Sequence, residues 1–119
     1  MRQKDANQFI DAVRAAYAKI GKAPIRRAFG SEDTPHCCPL TDLCLANGWL
    51  ESCASEEPIL RAIDERYGHI FALSFIEGFD GGPLRQSLHQ HAWQLGRWTA
   101  IAIEPEDVIG LSTPSSRAS

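Results

Sequence analysis

The chain has 119 residues, 44% hydrophobic and 23% charged, and twelve Lys+Arg against fifteen Asp+Glu give a net charge of −3. This apolar content can offset the entropy of ordering one domain, which excludes a low-complexity disordered chain. Nine glycines without a Gly-x-y period exclude a collagen, and the acidic balance disfavours a general nucleic-acid coat.

The first element is predicted as an amphipathic helix over 5–20. Phe9, Val13, Ala16 or Tyr17, and Ile20 recur at steps of three and four, which puts them on one face. Asp5 is read as its N-cap, Gly21 as its stop, and Lys19 and Lys22 sit where the helix dipole favours cations. Residues 21–36 carry loop signals in Pro24, Gly30, Pro35 and the run Ser31-Glu32-Asp33-Thr34, with 25–29 able to form a short extended piece. A second helix starts at Pro39, because proline lacks only an N–H that the first helical position leaves unbonded. Leu40, Leu43 and Cys44 or Leu45 give it an apolar face, and Asn47-Gly48 ends it.

Ser55 is read as the N-cap of a third helix, with Glu56 and Glu57 in its first turn, Ile59, Leu60, Ile63 and Tyr67 as its buried stripe and Gly68 as its C-cap. The apolar run 69–79 suits a buried strand or a buried helix. The repeat of Phe71, Phe75 and Phe79 every four residues favours helix. After the Asp80-Gly81-Gly82-Pro83 turn, a long helix is predicted from 84 to 98 or 103. It carries two apolar stripes, Leu88, Ala92, Leu95, Trp98 and Ala102 on one side, and Trp93, Gly96, Ala100 and Ile103 on the other. Residues 112–119 are Ser/Thr/Pro-rich and read as a flexible tail.

The fold expectation is one mainly α domain over 1–111, a compact bundle of four to five helices. The alternative is an α+β arrangement with a small sheet from 25–29 and 98–103.

Chemistry concentrates in two places. His36, Cys37, Cys38 and Cys44 form a thiol-rich segment, with Asp42 and Cys53 nearby in sequence. Zinc needs four ligands in tetrahedral array, commonly from paired CxxC knuckles, and no such spacing is present. Cys38 would cap the helix begun by Pro39, where the dipole lowers a thiol pKa, but no base among His36, His69, His89 and His91 has supporting spacing. Burial as small hydrophobes is the simpler role. No signal-peptide pattern precedes this segment, so reduced thiols and a cytoplasmic setting are expected.

The second place is Trp93, Gly96, Arg97 and Ala100. A glycine inside a helix costs about 1 kcal/mol relative to alanine, so a close approach, internal or between subunits, should compensate. Tryptophan and arginine are favoured interface anchors.

Other clusters have simpler readings. The 77–82 segment lacks the lysine of a phosphate loop, so it reads as an interhelical turn. Asp64, Glu65, Glu77 and Asp80 read as solvated carboxylates. Lys19, Lys22, Arg26 and Arg27 form the one basic cluster, without a nucleic-acid-binding signature beside it. No stretch is apolar for long enough to span a membrane. The functional expectation is a small, soluble, non-catalytic interaction or regulatory module with a protein partner or a homodimer, no cofactor, no metal, and neither nucleic acid nor membrane as partner. The alternative is a thiol-dependent or metal-binding protein centred on His36–Cys38.

Overall fold

The computed structural model describes residues 3–30, 34–51 and 56–107, and within them most apolar periodicities of the sequence become helices. Helix α1 (Gln3–Ile20) buries Ala6, Ile10, Val13, Ala16 and Tyr17 on one side. It begins before Asp5, which therefore lies in the first turn rather than at the cap. Gly21 ends it in the left-handed region (φ 72°), donating its N–H to Tyr17 O at 2.9 Å.

Strands β1 (Ala23–Arg26) and β2 (His36–Cys37) follow, and β3 (Glu106–Asp107) closes a three-stranded parallel sheet of order β2-β1-β3. Ala23 lies opposite His36 and Pro24 opposite Cys37; Ile25 lies opposite Glu106 and Arg26 opposite Asp107. A small sheet therefore exists, as the α+β alternative expected, but from other residues. Its middle strand is 23–26 rather than 25–29, and 98–103 contributes nothing because it is helical. The chain bends after β1 at Arg27, whose φ of 67° is unusual for a side-chain-bearing residue. Its amide is held there by Asp80 Oδ1 at 2.9 Å.

Helix α2 (Pro39–Ala46) starts at proline, with Cys38 at the N-cap and Asn47 at the C-cap, as the sequence predicts. Helix α3 (Glu56–Tyr67) turns Ile59, Ala62 and Ile63 inward. Its expected cap, Ser55, lies outside the described residues, as do Cys53 and the 112–119 tail. Helix α4 (Phe71–Phe79) resolves the helix-or-strand ambiguity in favour of helix, and all three phenylalanines are buried. Helix α5 (Gln90–Ile103) begins six residues later than position 84. His89 is its N-cap: Nδ1 accepts the Ala92 N–H at 3.2 Å, while the His89 amide donates to Ser74 Oγ at 2.7 Å. These bonds fix the helix start at a point that hydrophobic periodicity cannot locate.

Helices α4 and α5 form the tightest pair. A Cβ on Gly96 would overlap the Phe75 carbonyl oxygen, and one on Gly78 would overlap the Trp93 carbonyl oxygen. Two glycines facing the opposite backbone let the helices approach closely, which answers the sequence puzzle of a mid-helix glycine. The main core joins these helices to α2 and α3 through Leu40, Cys44, Ile59, Ile63, Phe71, Phe75 and Leu95. A second cluster of Val13, Ala16, Tyr17, Cys37 and Leu43 locks α1 onto β2 and α2. Among the described residues, no helix is long and apolar enough to cross a membrane.

Candidate functional site

The thiol-rich segment is interior. Cys37, Cys38 and Cys44 are all buried, with Cys37 in the second cluster and Cys38 and Cys44 in the main core. Tyr17 donates its hydroxyl proton to Cys37 O at 2.7 Å, which ties β2 to α1. Cys38 Sγ lies 3.4 Å from Thr41 Oγ1.

Two effects compete at this thiol. A helix N-terminus and hydrogen bonds from Thr41 and Leu40 favour the thiolate, whereas burial disfavours it. Burial wins and pushes the thiol up to about 11. That is the opposite direction from an activated nucleophile. Half-buried His36 starts β2. Among the described residues, no three His, Cys, Asp or Glu side chains gather in a metal-holding group.

Beside these thiols sits a residue that sequence reading named only in passing. Asp42 is 0% exposed, and neither carboxylate oxygen has a hydrogen-bond partner among the described residues. Burial alone pushes its carboxyl up to about 8, so it is mostly protonated at neutral pH. The sequence signal was weak: Asp42 stands among Leu40, Leu43 and Cys44, and packing on several sides of α2 buries it with them. A cavity of about 110 Å³ reaches Cys38 from the surface, floored by Phe75, Ile76 and Phe79 and rimmed by Arg27, Glu56 and Asp80.

The remaining expected clusters are dispersed or absorbed by the fold. Lys19 Nζ donates to Ala46 O at 2.8 Å and Lys22 Nζ to Thr34 O at 2.6 Å, so both serve carbonyls of this chain. Asp64 Oδ1 accepts the Ala72 N–H at 2.8 Å and caps α4 from α3. The 77–82 segment is the last turn of α4 and the turn that follows it, with Gly81 N donating to Gly78 O at 3.3 Å and Gly82 N to Glu77 O at 2.8 Å. Those amides are committed and do not form a phosphate cradle.

On α5 the four residues singled out from the sequence divide. Gly96 faces α4, so its close approach is internal. Trp93 is half-buried, with Nε1 donating to Gly82 O at 3.1 Å. The exposed Arg97 guanidinium carbon lies 5.6 Å from the Trp93 ring centroid, within cation–π range. Ala100 is half-buried one turn further on. Ile101 lies beside this stripe at 71% exposure, the largest among the exposed large hydrophobics of the described residues. Sequence reading passed over Ile101, although its spacing of four from Arg97 and eight from Trp93 places it on the same side. Comparison with protein-family models, curated proteins and solved structures gives no match.

Proposed function

We propose that this chain is a non-catalytic protein-interaction module whose contact surface is the outward side of α5, formed by Trp93, Arg97, Ala100 and Ile101. The observation that carries this reading is Ile101, a large apolar side chain left 71% exposed beside an arginine stacked on a fixed tryptophan. An apolar centre flanked by Trp and Arg has the composition of an interface anchor. The surface is also preorganised, because the Trp93 Nε1 bond to Gly82 O holds the ring and the ring supports Arg97.

The occupant favoured by charge is a different, acidic protein rather than a second copy. Two copies meeting with Arg97 near the two-fold axis would oppose Arg97 to Arg97, and like charges in contact are unfavourable. The buried thiols fit a structural role better than a reactive one, since Cys38 titrates far above neutrality.

A photoreactive amino acid at position 101, with one at exposed Glu65 on α3 as control, tests the reading in the host cell. A discrete crosslinked species is expected from position 101 only, and it should disappear when Arg97→Glu is added. Crosslinking no stronger at 101 than at 65 would falsify the proposal. A product of twice the chain's mass would replace the acidic partner with a homodimer.

A further inference from the structure

Between β1 and α5 lies a cleft of about 180 Å³, lined by Arg26, Gly78, Phe79, Gly81, Arg97, Ala100 and Ile101. Two of these residues carry guanidinium groups and none carries a carboxylate, on a chain whose net charge is −3. Bringing two like charges to one concavity is unfavourable unless an anion sits between them. The Arg26 Nε is buried and has no hydrogen-bond partner among the described residues. A buried donor without an acceptor is costly, and Arg26 lines the cleft.

Among the described side chains, Asp80 is the carboxylate that interacts electrostatically with Arg26, and it fills that acceptor role only in part. Asp80 feels the charges of both Arg26 and Arg27, but it lines the adjoining cavity and its Oδ1 accepts the Arg27 N–H. The Gly81 amide is bonded to Gly78 O, so the guanidinium groups are the donors available to a ligand. The rest of the wall, Phe79, Ala100 and Ile101, is apolar.

We infer that this cleft binds an oxyanion, a carboxylate or a phosphate, held between Arg26 and Arg97, with the attached apolar group lying on Phe79, Ala100 and Ile101. Guanidinium is suited to both oxyanions because its N–H groups pair with two oxygens at once. The volume accommodates the headgroup and a few further heavy atoms. This inference rests on the outward side of α5 being a recognition surface and names the chemistry recognised there.

Titration with inorganic phosphate, acetate and hexanoate, followed through the Arg Nε–Hε signals by NMR, tests it without any partner protein. Hexanoate or phosphate should shift the Arg26 and Arg97 signals saturably. Arg26→Gln and Arg97→Gln should each weaken binding by about tenfold or more, the loss of one charge-assisted contact. Arg97 is exposed, so its variant keeps the test usable if Arg26→Gln does not fold. Ile101→Ser should weaken hexanoate and leave acetate unchanged.

Tighter phosphate than acetate binding identifies a phosphate headgroup, and the reverse a carboxylate; either supports the inference. Equal shifts with neutral hexanol, or binding unchanged in both arginine variants, overturns it. Saturable oxyanion binding without crosslinking at position 101 would overturn only the protein-docking reading. Crosslinking without oxyanion binding would overturn only the cleft.

Discussion

The start of α2 and the α4–α5 pair are both buried, yet they handle buried polarity in opposite ways. Around α4 and α5 the interior polar groups find partners: Ser74 Oγ donates to Ile70 O and accepts from His89 N, Thr99 Oγ1 donates to Leu95 O, and Asp64 caps Ala72. Close packing comes from two glycines set against opposing backbone. At α2, burial outweighs the bonds that the Cys38 thiol makes, and one turn later Asp42 carries two carboxylate oxygens without a partner among the described residues. The first region is held by fit and satisfied bonds. The second is held by hydrophobic neighbours despite a poorly housed carboxylate.

The sharpest way to break this contrast is at the crossing. Gly96→Ala should destabilise the protein by about 3 kcal/mol or prevent folding, because the new Cβ meets rigid backbone rather than a movable side chain. On an outward helix face the same change would stabilise by about 1 kcal/mol, so the sign seen in urea denaturation decides whether the crossing is as tight as described.

The α2 region predicts a pH dependence. Asp42 titrates near 8 in the folded chain, against about 4 for an ordinary aspartate in the unfolded one. The unfolded chain releases the proton first, so stability is fully present below about pH 4 and falls as pH rises to about 8. Asp42→Asn should flatten that slope and stabilise the protein by several kcal/mol at pH 8, with little effect at pH 4. Parallel slopes for wild type and variant would show that Asp42 is better solvated than its burial implies.

The smallest effect is expected at the partnered aspartate. Asp64→Ala should cost about 1 kcal/mol, the usual loss of a helix cap, while Asp64→Asn should retain most of it. Equal stability of Asp64→Ala and wild type would mean that Ile70, with its left-handed φ of 56°, enters α4 without help from α3.

Much of the fold was legible in local pattern. The step of three and four from Phe9 to Ile20, Pro39 at the head of α2, the repeat of Phe71, Phe75 and Phe79, and the stops at Gly21, Asn47 and Gly68 each rest on rules that act within a few residues. Of the candidate site, the sequence singled out Trp93, Arg97 and Ala100 on α5, whereas Ile101 and Arg26 were not associated with them. Arg26 reaches the cleft only because β1 lies beside that helix, a contact between residues some seventy positions apart.

Sequence by itself determined where helices form and which side of most of them is apolar, because propensity, periodicity and capping are local. Tertiary structure decided the partner of Gly96, the start of α5 at Gln90, the pairing of β1 with 36–37 and 106–107, and the character of the thiols. At Cys38, the local helix-end effect favoured a reactive thiolate and the surrounding core reversed it. Burial depends on what the rest of the chain brings to a residue, and no spacing along the sequence encodes that directly.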